Sequence, residues 1–125
     1  MAAQQVHLVV ELTLHEGQQD AFNRLAQQMT AGTQPEAGAI TYDWYMSSDG
    51  QHCRLLETYA DANALLAHFT GPVVQQLVPQ LAQIVTIDGF EVYGDPGAQV
   101  AAMLAGFGAV IFQRRYGLDG GRTWF

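Results

Sequence analysis

The chain contains no lysine: its five basic residues are Arg24, Arg54, Arg114, Arg115 and Arg122, set against twelve Asp and Glu for a formal charge of −7. Phosphate backbones are bound by clustered Lys and Arg, so charge alone argues against a nucleic-acid partner. There is one cysteine, Cys53, which excludes an intrachain disulfide and any cysteine-built zinc site. A lone strand cysteine reads as a small buried hydrophobe. No apolar run reaches the roughly 18 residues of a membrane span, and the start MAAQQVHLVV lacks the basic segment and small-residue cleavage site of a secretory signal. The expectation is a cytoplasmic protein with no membrane partner. Glycine-rich YGLDGGR has neither the Lys-Ser/Thr of a phosphate-binding loop nor dinucleotide-fold spacing. His7, His15 and His52 lack metal-ligand spacing, so no metal is expected. Ser47, Ser48 and Cys53 anchor no nucleophilic triad.

What is present suits one folded unit: 125 residues, 49% hydrophobic and 14% charged, enough for a single core. Charge is uneven. Residues 1–113 carry two arginines against eleven acids, a net of −9, whereas residues 114–125 carry three arginines against Asp119, a net of +2. Such a tail is suited to docking on an acidic body, its own or a partner's, or to binding an anionic ligand.

VHLVVELTL alternates Val6, Leu8, Val10, Leu12 and Leu14 against His7, Glu11 and Thr13, the pattern of a strand with one buried face. Phe22, Leu25, Ala26 and Met29 recur at helical spacing, and that helix should stop near Ala31-Gly32. AITYDWYM places Ile40, Tyr42, Trp44 and Met46 on one face of a second strand, and SSDGQ turns the chain into a third, HCRLLETY. Asp61 stands at the N-cap position of a short helix marked by Ala62, Leu65, Leu66 and Phe69 and ended by Gly71-Pro72. A further stripe, Val73, Val74, Leu77, Val78 and Leu81, should be kinked or restarted by Pro79. IVTIDGFEVYG is a fourth strand with a bulge at Gly89.

The order β-α-β-β-α-β predicts an α+β, ferredoxin-like fold with helices on one face of an antiparallel sheet. Val9, Tyr45 and Leu56 on the other face call for a second sheet, hence a homodimer. Residues 1–96 form the domain, and residues 97–125, with the helical AQVAAMLAG and the apolar AVIFQRRY, form a C-terminal arm expected to stabilise the dimer.

On the third strand Cys53, Leu55, Glu57 and Tyr59 share a face. If that face meets the helices, burial raises the Glu57 pKa and makes it a usable acid or base. On the helix that follows, His68 lies about 110° from the centre of the apolar stripe, which places it at the rim of a pocket. Asp61, on the same side, reaches the imidazole only if the helix end bends inward.

Four segments carry a family resemblance: VVELTLHEG before an amphipathic helix, PEAGAITYDWY, LLETYADANALLAHF, and FEVYGDP. In kind and order they resemble the antibiotic biosynthesis monooxygenase family of dimeric α+β barrels over about residues 5–96. Ala37 stands where that family often has proline, and Tyr59 where it often has tryptophan. The first strand has no Asn of the kind used by the related haem-degrading branch. The resemblance implies oxygenation of a small aromatic quinol or phenol by O₂ without a cofactor. His68 would then bind or deprotonate the phenol, and Glu57 would hydrogen-bond substrate or histidine. Tyr42, Trp44 and Tyr59 would line an aromatic slot, with Phe22 and Met29 beside it or in the core. Two alternatives stand beside this reading: a non-catalytic dimeric barrel that binds a small apolar or aromatic ligand, and an interaction module with a filled core.

Overall fold

A computed structural model describes residues 4–118, so Asp119, Arg122 and the end of the glycine-rich tail lie outside the described residues. Its elements are β1 (Val6–Leu14), α1 (Gln19–Thr33), β2 (Ala39–Met46), β3 (His52–Tyr59), α2 (Ala62–Thr70), a π-helical turn (Val73–Leu77), α3 (Val78–Leu81), β4 (Val85–Tyr93), α4 (Ala98–Ala105) and β5 (Val110–Phe112). The strands form one sheet in the order β2-β3-β1-β4-β5. The first four are antiparallel and ferredoxin-like; β5 adds in parallel to β4.

Every second residue of β1, from Val6 to Leu14, is buried against the helices. α1 lays Phe22, Leu25, Ala26 and Met29 on that layer, and α2 adds Leu65 and Phe69. Asp61 caps α2 by accepting from the Ala64 amide at 2.8 Å. Pro79 restarts the next helix as expected. Having no N–H, it could not continue an α-helical ladder. The chain instead widens into the π turn, where the Val78 amide donates to the Val73 carbonyl, and Pro79 falls in the first turn of α3, where a donor is not needed.

Two bulges set side-chain direction. In β4, Glu11 pairs with Gly89 but Leu12 with Ile87, so Asp88 is the extra residue beside the expected glycine. In β2 the register shifts between Ala39 and Thr41, which corrects the simple alternation. Ile40 is the extra residue and is 45% exposed, while Ala39, Tyr42, Trp44 and Met46 lie opposite the inward residues Tyr59, Glu57, Leu55 and Cys53.

On the sheet's outer face Tyr45 is exposed and Val9 and Leu56 are half-buried. Polar pairs share this face: Arg54 lies 3.9 Å from Glu11, and His7 and Thr58 are hydrogen-bonded at 3.0 Å. The arm packs on the body of its own chain: Val100 and Leu104 of α4 are fully buried, and β5 hydrogen-bonds β4.

Candidate active site

Strand parity carries Glu57 of β3 beneath the helices, where it is 5% exposed and accepts a 2.6 Å hydrogen bond from the Tyr59 hydroxyl. Burial raises its carboxyl pKa; His68 and the Tyr59 hydrogen bond oppose the rise, and the nearby Glu36 carboxylate adds to it. Burial likewise raises the phenols of Tyr42 and Tyr59, with the Glu57 charge adding to both. Both therefore stay neutral donors. Cys53 is buried and its thiol is pushed up to about 11 by desolvation, so it is packing rather than a nucleophile.

His68 is not at a rim. It is 2% exposed, with the Tyr59 ring tilted against it at 5.1 Å and the Tyr42 and Phe69 rings edge-on at 5.7 and 5.9 Å. The angular argument fails because it assumes one contact face. α2 is packed on the sheet, on the π turn and on α4, and the loop between α1 and β2 covers the side left over.

That loop delivers Glu36, whose Oε1 lies 2.7 Å from His68 Nδ1. A carboxylate can only accept, so Nδ1 donates. The other ring nitrogen, Nε2, is 3.8 Å from Glu57 Oε1, beyond a hydrogen bond and within reach of one after a small shift. Asp61 does not orient the imidazole, since its carboxylate is committed to the α2 cap. Glu36 was not singled out from the sequence. Its local signal is an acid in the otherwise small and apolar PEAGA turn, and its partner is 32 residues away.

Glu57 and His68 border a small cavity of about 50 Å³, walled by Val10, Leu12 and Leu55 from the sheet, Met29 from α1, Val74 from the π turn and Val78 from the start of α3. Tyr42 also lines it, and Phe107, just after α4, closes one side. The aromatic residues expected in one slot are thus divided. Tyr42 and Met29 line the cavity, and Tyr59 backs the imidazole. Phe22 and Trp44 line a separate open groove of about 680 Å³ between α1 and the β2 edge, where the Trp44 indole N–H donates to Thr30 at 2.9 Å. The rings of Trp44 and Tyr42, 5.8 Å apart, form the partition.

The two carboxylates address opposite nitrogens of one ring rather than a common point. Among the described residues no three His, Cys, Asp or Glu side chains form a group able to hold a metal ion, and no helix is long and apolar enough to cross a membrane.

No curated protein sequence matches the chain. Among solved structures it is similar to MupZ from Pseudomonas fluorescens, with 21% identity over 94% of this chain and 95% of that one and a TM-score of 0.78. Rv0793 from Mycobacterium tuberculosis is 24% identical over 75% of this chain and 97% of that chain, with a TM-score of 0.66. SnoaB from Streptomyces nogalater, described as a cofactor-independent oxygenase, is 14% identical over 76% of this chain and 96% of that chain, also with a TM-score of 0.66. These likenesses establish the fold. Residues 5–80 match the family described as antibiotic biosynthesis monooxygenase, and with more than half its length matched the chain belongs to that family.

Proposed function

We propose that the protein is a cofactor-independent monooxygenase that oxidises a small aromatic quinol or phenol with O₂. The observation that supports this most is a single imidazole, His68, buried between two carboxylates at the wall of an apolar cavity. Nε2, with Nδ1 already carrying a proton, is free to take one from a phenolic hydroxyl. An electron-rich phenolate can then give one electron to O₂. Recombination of the two radicals forms a C–O bond at a ring carbon that bears hydrogen; loss of that C–H proton as O–O breaks leaves one oxygen on the substrate as a carbonyl and releases the other as water, whose two protons are the one held on His68 and the one lost from carbon. Glu57, whose carboxyl pKa burial raises, borders the cavity beside the imidazole and is placed to hydrogen-bond an oxygen of the substrate. The apolar walls exclude water and hold the reactants together.

The cavity as it stands admits one or two waters' worth of volume, far below the several hundred Å³ of an ordinary ligand site. It fits O₂, and an aromatic ring enters only if Phe107 or the π-turn valines swing aside. The catalytic reading predicts O₂ uptake with a hydroquinone or anthrone substrate, and a fall in rate of roughly 10²- to 10⁴-fold in His68→Ala. Absence of uptake in the wild type, or an unchanged rate in the variant, would sink it.

The second reading, a non-catalytic barrel that binds an aromatic ligand, is favoured by the open groove beside Phe22 and Trp44. It predicts ligand-dependent quenching of tryptophan fluorescence that Trp44→Leu abolishes and His68→Ala leaves intact. In both readings the protein works in the cytoplasm as a homodimer, with the outer faces of the two sheets together.

A further inference from the structure

We propose that Glu36 is a positioning residue of this site: it holds the Nδ1 proton of His68 and so keeps Nε2 as the nitrogen presented to Glu57 and the cavity. This rests on the reading of His68 as the base.

The geometry that supports it begins in the backbone. The Glu36 amide donates to the Thr33 carbonyl at 2.9 Å, and its own carbonyl accepts from the Ala39 amide at 3.1 Å, so the residue is pinned on both sides. Gly38, two residues on, meets α2 so closely that an added Cβ would fall 2.2 Å from the Ala64 Cβ, while its carbonyl accepts from the Ala60 amide. The turn therefore lies flush on the start of α2, and its carboxylate reaches His68 one turn further along the helix. Among the groups facing the imidazole, namely Glu36 from the turn, Glu57 and Tyr59 from β3 and Tyr42 from β2, Glu36 has the one oxygen within hydrogen-bond distance of a ring nitrogen. Its side chain is also 22% exposed, against 2% for His68 and 6% for Glu57.

The arrangement has a chemical consequence. A neutral imidazole has one donor and one acceptor nitrogen, and which is which is set by the partner of the other. With Nδ1–H committed to Glu36, Nε2 is the acceptor and can receive a substrate proton. The imidazolium that results keeps a carboxylate at 2.7 Å, so the new positive charge forms beside a negative one already in place. Without Glu36 the ring could turn or adopt the other tautomer, donate to Glu57 through Nε2, and lose the basic nitrogen on the cavity side.

Glu36→Gln keeps the shape and can donate to as well as accept from the ring, and is the main test. Nitrogen-15 spectra of labelled histidine read the tautomer without any substrate. The wild type is expected to show His68 protonated at Nδ1, with Glu36→Gln moving population to the Nε2–H form. A wild type already in the Nε2–H form, or a variant spectrum identical to it, overturns the proposal whether or not O₂ uptake has been found. In turnover, Glu36→Gln should lower kcat by roughly 10- to 10⁴-fold with little change in KM, and formate should restore part of the rate in Glu36→Ala through the partly exposed position. An altered tautomer with an unchanged kcat would remove Glu36 from the reaction while leaving His68 in it. Loss of activity in His68→Ala with none in Glu36→Gln separates failure of this inference from failure of the catalytic reading.

Discussion

At the scale of single residues, the raised pKa of Glu57 makes stability depend on pH in a definite direction. A carboxyl whose pKa rises on folding holds its proton in the folded chain where the unfolded chain has already lost it. The contribution of Glu57 to stability is then greatest at low pH and declines as pH rises above the ordinary value of 4.5 through the raised one. Glu57→Gln retains an oxygen for the Tyr59 hydroxyl and cannot ionise. Thermal unfolding followed from about pH 5 to 8 should show the variant gaining on the wild type as pH increases, because only the wild type carries that slope. Parallel profiles would mean that Glu57 ionises as easily inside the fold as outside. Glu57 was legible in the sequence because strand period fixes direction: Leu55 and Tyr59 had to be inside, and Glu57 lies between them. His68 was legible only as a candidate. Its depth depends on what covers the flank of α2, and that cover is Glu36, 32 residues earlier in the chain.

At the scale of elements, contact between the α1–β2 turn and α2 is set by two residues too small to keep them apart. Gly38→Ala puts a Cβ 2.2 Å from the Ala64 Cβ, and neither atom can rotate away because both are fixed to backbone. Overpacking of this kind costs about 1–3 kcal/mol, which for a chain of this size lowers Tm by several degrees. The displacement separates the turn that carries Glu36 from the helix that carries His68, so Gly38→Ala should also weaken the Nδ1 hydrogen bond in the same nitrogen-15 spectra. Adding Ala64→Gly reopens the space and should restore the spectrum, though a helical glycine keeps about 0.5–1 kcal/mol of the loss. A double variant no closer to wild type than the single would show that contact at this point does not position the site. The sequence marked these elements well, including the restart at Pro79 and the bulge at Gly89, since proline and glycine act locally. The β2 bulge escaped because Ile40 is a good residue for either face, and nothing near it signals that pairing with β3 slips by one.

At the scale of the whole molecule, the arm packs on its own chain. Val100 and Leu104 are fully buried, and each contributes about 1.5–3 kcal/mol of burial, a large part of a domain's usual 5–15 kcal/mol. The Phe107 ring lies tilted against Phe90, 5.8 Å between ring centres, and lines the cavity. Sequence reading treated residues 97–125 as an appendage because a small-residue helix and a three-residue strand carry too little pattern to show what they cover. Truncation after Asp95 would therefore unfold or open the protomer and say little about dimerisation. The exposed part of the arm is a cleaner place to ask. Val110 and Ile111 on β5 are 52% and 39% exposed, on an edge strand that pairs on one side with β4. Threonine at both positions preserves strand preference and removes apolar surface. If the arm joins two protomers, V110T/I111T should raise the dimer dissociation constant at least tenfold in sedimentation experiments while the melting of dilute protein changes little. If the outer sheet faces alone make the dimer, the constant stays as it was, and residues 110–112 act only in cis, as a strand added to β4.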